Sequence, residues 1–540
     1  MPGIEVILAL LFAVAMLATL ASRIGVPYPI LLVLGGLVLG FVPGLPRVEL
    51  DPDLVFLIFL PPLLYVSALF TSWRDFRANL RPISLLAVGL VIFTTCIVAV
   101  VAHAAIEDLT WAAAFTLGAI VSPTDAIAAT AIAQHLGIPR RIVTVLEGES
   151  LVNDATGIVA YRIAAAAVTA GVFSVWEAGL NFIAGSIGGV VIGLAAGWVV
   201  LRVRRSVSPD PSVQNTISLL TPFLAYLPAE ELPTFVWEEF GMPGELHFSG
   251  VLAVVVAGLY LGRRGASVIT SSTRLQGYAV WELISFLLNG TIFILIGLQL
   301  RYIVDGLSEY SMIELALYAG LISLTVVIVR VLWVFPATYL PRTLSRRLRE
   351  RDPPPPWQTV SIVSWTGMRG VISLAAALAL PLTTDAGAPF PGRDLILFLT
   401  FCVILVTLVV QGLSLPALIR ALGIEDDGVG EKEETQGRIE LARAALQRLE
   451  DLAEEEWVRE DTAERLRGFY NYRHSRFSAR FGNDADGLED RSNAYQRLLM
   501  ELLHAQRQAL IRLRDEGSIG DEVMHRIERD LDLEESRLEL

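Results

Sequence analysis

Up to about Ile424 the chain alternates long apolar runs with short polar loops, and from Glu425 onward it turns charged. A helix rising 1.5 Å per residue needs roughly 20 mostly apolar residues to cross about 30 Å of hydrocarbon. By that measure the runs predict thirteen spans: Ile4–Leu20, Pro29–Val42, Leu54–Phe70, Ile83–Val101, Trp111–Ala133, Val143–Ala170, Leu180–Leu201, Val213–Leu227, Phe248–Leu261, Val280–Leu300, Ile313–Leu340, Thr359–Leu380 and Leu395–Leu418. The second, eighth and ninth are short, and one of them is a candidate re-entrant segment. Ile4–Leu20 has no basic stretch before it and is read as a first span rather than a cleaved signal. The expected fold is an all-α polytopic membrane protein with about 13 transmembrane helices and a helical cytoplasmic tail.

Arginine placement gives an independent check on these spans. With thirteen spans and a cytoplasmic tail, the inner loops hold seventeen arginines, among them Arg74, Arg77, Arg140, Arg141, Arg263 and Arg342. The outer loops hold only Arg47, Arg301 and Arg393. That asymmetry follows the positive-inside rule and would blur if a span were miscounted. It predicts a multi-pass protein of the plasma membrane, of bacterial type, with the N-terminus outside and the C-terminus in the cytoplasm.

The expected domains are 1–424, membrane-spanning, and 425–540, an acidic helical cytoplasmic region with a regulatory role. The tail holds 18 Lys and Arg against 30 Asp and Glu, so it carries −12 of the net −14. Such acidity excludes nucleic acid as a partner. Apolar residues recur at helical spacing in the tail, as in Ile439, Leu441, Ala444, Leu446, Leu449 and Leu452, and again in Leu498, Leu499, Leu502, Leu503, Leu510 and Leu513. Gly428 and Gly430 suit a linker before it, and Gly482 to Gly487 suits a turn rather than a calcium loop. Cys96 and Cys402 lie in apolar runs without metal or disulfide spacing.

An ionisable group at bilayer depth costs about 2.5–3.5 kcal/mol on insertion scales and marks a function or a pair. Asp125, Asp154 and Arg369 each fall about a dozen residues from an end of their span, near the midplane by helical rise. Glu147, Arg162 and Glu282 sit nearer an end, and Arg330 lies in the eleventh span. The fifth span contains Ser122-Pro123-Thr124-Asp125, where proline removes a donor and loosens the helix. The twelfth has its own interruption, Gly367-Met368-Arg369-Gly370. Two broken helices in different halves of a chain point to a midplane site in transporters built from inverted repeats.

The sixth span carries Glu147-Gly148-Glu149-Ser150-Leu151-Val152-Asn153-Asp154. Four-residue spacing puts Ser150 and Asp154 on one face, with Glu149 and Asn153 on the adjoining one. Carboxylate, hydroxyl and amide oxygens of this kind suit a small alkali ion. A proton and a cation would compete for the one dehydrated carboxylate of Asp154, and that competition is sufficient for exchange. Glu149 and Arg369, opposite charges at similar depth, are expected to form a structural ion pair between the sixth and twelfth spans.

Three motifs in this order, Ser122-Pro123-Thr124-Asp125, Glu147-Gly148-Glu149-Ser150 with Asn153-Asp154, and Gly367-Met368-Arg369-Gly370, resemble the signature of sodium/proton antiporters. The chain is most similar to the monovalent cation:proton antiporter-1 family of the NhaP/NHE type, over about its first 420 residues. Leu60-Pro61-Pro62-Leu63-Leu64-Tyr65, Trp281-Glu282 and Leu287-Leu288-Asn289-Gly290 add to the likeness. The resemblance implies a homodimer with a dimerisation domain and a mobile core in which the broken helices cross. It implies that Asp154 binds the ion and the proton, with Asp125, Thr124 and Ser150 completing the sodium shell. Asn153, assigned to the same ion- and proton-binding group, stands where electrogenic relatives carry a second aspartate, so one-for-one electroneutral exchange is expected. Val66 occupies the place of a glutamate in many relatives, which removes one carboxylate.

The leading reading is a sodium/proton antiporter serving pH homeostasis, with lithium or potassium as further cargo and no cofactor. The alternative is a potassium/proton antiporter of the same architecture, since nothing in the motifs separates the ions. A gated channel would need a continuous polar pore. An enzyme would need a Ser/His dyad, a zinc-ligand set or a nucleotide loop, none of which the sequence contains. Glu282 is expected at a helix end, Arg162 and Arg330 as packing partners for carbonyls or carboxylates, and His135 in a solvated loop.

Overall fold

The computed structural model describes residues 2–42, 52–127, 129–130, 136–171, 175–240, 248–265, 268–307, 310–479 and 485–536. The chain divides into two compact units, Met1–Asp426 and Asp427–Leu540. Regular structure among the described residues is helical, apart from one isolated bridge between Thr383 and Pro389.

The first unit is built from α1 (Pro2–Ile24), α2 (Tyr28–Gly40), α3 (Pro52–Phe70), α4 (Trp73–Ala78), α5 (Leu80–Ala105), α6 (Trp111–Val121), α7 (Arg140–Ala170) and α8 (Val175–Ser206). It continues with α9 (Pro211–Phe240), α10 (Gly250–Gly265), α11 (Ser271–Asp305), α12 (Met312–Leu344), α13 (Arg346–Arg351), α14 (Trp357–Trp365), α15 (Val371–Leu378) and α16 (Arg393–Ala421). Eight of the described helices are long and apolar enough to cross a bilayer, and α2 and α6 are shorter apolar helices. Each predicted span overlaps helix among the described residues. The fifth and twelfth are interrupted where Pro123 and the Gly367–Gly370 segment stand. Large apolar side chains such as Phe12, Trp176, Ile187 and Leu332 are exposed on these helices, as suits a surface solvated by hydrocarbon rather than water. The chain is a multi-pass membrane protein.

Proline shapes two further helices. Pro61 and Pro62 have no N–H, and the ring of Pro61 crowds the carbonyl of Leu57; the preceding turn of α3, Val55–Phe59, widens to π-helix. Pro416 makes the same demand on α16, and there the widened turn is Thr407–Gln411. A third π stretch, Leu85–Leu90, follows Pro82 in α5.

Buried apolar residues of the first unit form two clusters. The larger runs through α2, α5, α6, α11, α12, α14, α15 and α16 and takes in Ile142, Val145 and Tyr161 of α7. The smaller joins α3, α8, α9 and α10 to another face of α7, through Leu151, Ala155 and Ile158. Helix α7 therefore belongs to both. At the ends where α5 and α7 begin and α12 finishes, Asp352 accepts from Arg141 at 2.8 Å and from Arg342 at 2.6 Å, with Arg81 at 3.7 Å. Burial pushes the Asp352 carboxyl up, but the bonded Arg141 and Arg342 outweigh it and hold the group below its ordinary value.

The second unit comprises α17 (Val429–Ala453), α18 (Glu460–Ala479), α19 (Ala485–Asp515) and α20 (Asp521–Ser536). Gly428 takes a left-handed φ of 62° to start α17. Thr435 and Ala442 are its buried residues, whereas Leu441 and Ala444 of the predicted apolar stripe are exposed. Arg438 lies over the Phe477 ring, joining α17 to α18. Leu503, Leu510, Met524 and Leu531 join α19 to α20. Arg47, His135 and residues 482–484 lie outside the described residues.

Candidate functional site

The two helix breaks meet. After α6 ends, residues 122–125 run without helix, and residues 366–370 do the same between α14 and α15. A backbone hydrogen bond from Asp125 N to Met368 O, 2.8 Å, joins one break to the other. The approach requires glycine at 370, since a Cβ there would run into the Asp125 carboxylate. Each break frees carbonyls that no helix satisfies. Arg369 Nε donates to Val121 O, the last residue of α6, at 3.0 Å, and its guanidinium also donates to Gly367 O. The backbone N of Arg369 donates to Thr407 Oγ1 at 3.1 Å, in the widened turn of α16. The buried arginine thus binds carbonyls of both breaks.

Helix α7 supplies the opposing wall. Glu149 and Asn153 are 1% exposed and Asp154 is 5% exposed. Thr124 Oγ1 donates to Glu149 Oε1 at 2.8 Å, and Asn153 Nδ2 donates to Thr124 Oγ1 at 2.8 Å and to Thr124 O at 3.2 Å. Ser150 Oγ accepts from Ala126 N at 3.4 Å, and Asp125 Oδ1 accepts from Ile127 N at 2.8 Å. A Cβ at Gly157 would collide with the Pro123 ring, so this glycine lets α7 lie against the break.

The expected pair of Glu149 with Arg369 is corrected. Glu149 accepts from Arg330 of α12 through both oxygens, at 2.5 and 2.9 Å, while Arg330 Nε donates to Val363 O at 3.1 Å. Both arginines are fully buried. Arg369 is occupied by carbonyls that the two breaks expose, and the bidentate position on Glu149 falls to the arginine entering from α12. Gly367 makes room for this arrangement, since a Cβ there would stand 2.5 Å from Arg330 Cδ and 2.9 Å from an Arg369 nitrogen. Arg330 therefore carries the role that the sequence reading gave to Arg369.

A cavity of about 440 Å³ lies against this wall. Asp154, Ser150, Asp125 and Thr124 line it together with Glu147, Thr130 and Ser373. Leu60, Leu63, Val66 and Phe70 of α3 form its apolar side, so Val66 leaves a hydrocarbon wall where a carboxylate would have faced the site. Asn153 is not among the lining residues; its amide is spent on Thr124, behind the wall. Asp125 and Glu149 lie near enough to Asp154 to act on it electrostatically, and no described residue donates a hydrogen bond to its carboxylate. A carboxylate so placed is neutralised by whatever enters the cavity, a proton or a cation.

The lining extends from Asp154 and Gly370 to Glu147, Phe70 and Thr71, toward the end where α3 finishes and α7 begins. Two turns beyond Asp154 in the other direction, Arg162 binds Glu230 of α9 at 2.8 Å, and Glu230 also accepts from Gly250 N at 3.3 Å. Glu282 is exposed and outside the cavity. Arg330, expected as a packing partner for carbonyls or carboxylates, binds one of each, Val363 O and Glu149; Thr407, Glu230 and Ser373 went unassigned in the sequence reading. Of these, Ser373 carried a usable signal, standing one helical turn past Gly370. Among the described residues, no group of three His, Cys, Asp or Glu is placed to hold a metal ion.

Known proteins resemble this chain in sequence and fold. The profile of the transmembrane sodium/hydrogen exchanger family matches residues 7–421. An uncharacterised Na+/H+ exchanger of Mycobacterium tuberculosis is 37% identical over 546 residues, covering 99% of this chain and 96% of that protein. A sodium, potassium, lithium and rubidium/H+ antiporter of Bacillus pumilus is 34% identical over 429 residues, covering 77% of this chain and 61% of that protein. Among solved structures, the sodium proton antiporter MjNhaP1 from Methanocaldococcus jannaschii superposes with a TM-score of 0.62 at 19% identity. That match covers 78% of this chain and 98% of MjNhaP1, and shows a shared fold. The chain belongs to the sodium/hydrogen exchanger family and is a cation/proton antiporter rather than an enzyme.

Proposed function

We propose that this antiporter exchanges sodium for protons one for one, by competition at Asp154. The observation that carries the reading is a buried carboxylate to which no described residue donates, on the wall of a cavity beside two joined helix breaks. The charge count supports the stoichiometry. Apart from Glu147, which lines the cavity toward the end where α7 begins, Glu149, Asp125 and Asp154 face Arg330 and Arg369, so three negative charges oppose two positive ones and the empty inner site carries −1. One sodium ion or one proton brings it to zero, and either loaded site can cross a low-dielectric barrier that the empty site cannot. Asp125, Thr124 and Ser150 complete the ion's shell, and no resident cofactor is needed.

We further place thirteen crossings in a bacterial plasma membrane, with the N-terminus outside and the acidic tail in the cytoplasm as a regulatory region. The arginine asymmetry of the loops supports that orientation. On this reading the cavity opens to the cytoplasm, and the Arg162–Glu230 pair closes the outer side. A homodimer follows from the family resemblance. Potassium is the second candidate cargo: Val66 leaves the cavity short of one carboxylate, and the Bacillus pumilus relative is named for potassium as well as sodium.

The test is fluorescence dequenching in proteoliposomes with sodium, lithium and potassium added in turn across several pH values. Asp154→Asn is expected to abolish cation-dependent proton movement for every ion. Exchange at near-normal rates by that variant would remove the mechanism.

A further inference from the structure

Buried hydroxyls on membrane helices usually donate to a carbonyl one turn back, and this chain follows the habit at Thr95, Ser186, Ser364, Thr366 and Thr407. Ser373 does not. It is 2% exposed, and its Oγ has no hydrogen-bond partner among the described residues. A buried polar group left unpaired in a native fold calls for a partner that enters from outside the protein. Thr94, Ser323 and Thr400 also lack partners, but Ser373 alone of the residues with such atoms lines the cavity that holds Asp154.

Its position is fixed by the second break. Gly370 precedes α15 and packs against the Asp125 carboxylate. Ser373 lies three residues later, on the same helical face and about 5 Å further along. The cavity wall provided by α7 contributes Ser150 and Asp154, and the first break contributes Thr124 and Asp125. The α3 wall offers Val66, leucines and Ser67, whose side chain is exposed rather than buried. A partly dehydrated alkali ion needs oxygen on more than one side, and α15 is the remaining wall that carries a buried, unpartnered one.

We propose that Ser373 is a cation ligand of the transport site, supplying a hydroxyl from α15 opposite Asp154 and setting affinity among the alkali ions. The inference rests on antiport at Asp154 and goes beyond it by adding a residue and a direction of coordination. Binding of the cation turns the Ser373 oxygen toward the ion, so the hydroxyl finds its partner when the site is loaded.

The measurement is the half-saturating concentration of sodium, lithium and potassium in proteoliposomes at fixed pH. For Ser373→Ala the sodium value should rise about tenfold, the loss of one oxygen contact to an ion, with the maximal rate little changed. Ser373→Thr keeps the hydroxyl and should retain the wild-type value. Sodium-induced thermal stabilisation of the purified protein gives a second readout, and Ser373→Ala should require correspondingly more sodium for the same shift. Wild-type half-saturation and wild-type stabilisation in Ser373→Ala would overturn the assignment while leaving exchange at Asp154 intact. The same increase in Ser373→Thr as in Ser373→Ala would also overturn it, because the oxygen would then not be the cause. Continued exchange by Asp154→Asn would instead remove the reading on which Ser373 depends.

Discussion

Glu149 is held by a guanidinium through both oxygens and by the hydroxyl of Thr124, with no solvent to replace either. Removing one partner of such a pair strands the other charge, at roughly 3–5 kcal/mol. Arg330→Met should therefore lower the thermal stability of the purified protein severely, and Glu149→Met combined with Arg330→Met should recover part of the loss. A single Arg330→Met variant as stable as wild type would show that the pair is not structural. That Asp125, Ser150 and Asp154 line one cavity was legible in the sequence, because carboxylates inside apolar runs are conspicuous and Ser150 and Asp154 fall on one face by spacing alone. The partner of Glu149 was not. Arg330 and Arg369 are both buried arginines of the membrane region, and the choice between them depends on which carbonyls each broken helix leaves bare. Asn153 shows the same limit: its spacing placed it beside the site, but only the fold shows its amide turned to Thr124.

Helices end, widen or break here where proline and glycine oblige them to. The runs themselves were readable because each must cover about 30 Å of hydrocarbon. The interruptions at Pro123 and Gly367–Gly370 were readable from composition. The widened turns at Val55–Phe59 and Thr407–Gln411 were not foreseen, since a proline states that a donor is missing but not how the helix repairs it. Between elements, Asp352 ties α5, α7 and α12 at one end through Arg81, Arg141 and Arg342. Its carboxyl is held below the ordinary value in the folded state, so its contribution is present above the unfolded carboxylate range of about 3.9 and lost as pH falls through the folded value. Asp352→Asn should lower stability at pH 7 by about 1–3 kcal/mol, and the gap to wild type should close in acid below about pH 4. A gap independent of pH in thermal melts would contradict the ionic origin.

At the scale of the molecule, α7 is shared between two apolar clusters while the cavity that Asp154 lines lies against one of its faces. Exchange requires the cavity to close on one side and open on the other, and the Arg162–Glu230 bond joins α7 to α9 on the side away from the present opening. Glu230→Gln should shift the population toward the opposite state. A cysteine introduced by Ile158→Cys, one turn beyond Asp154, should then react faster with a membrane-impermeant maleimide applied from the side opposite the present cavity opening. Unchanged labelling would mean that the bond does not hold that side shut. The change from apolar to charged sequence near residue 425 is readable from composition alone, whereas the direction in which the cavity faces is a property of one packing of the helices.

The hydrogen bond from Asp125 N to Met368 O sews one interrupted helix to the other. A cation bound beside this seam keeps the same neighbours as long as the two breaks move together. Half-saturation at matched acidity should then be equal from either bank, and unequal values would show that the seam opens during exchange.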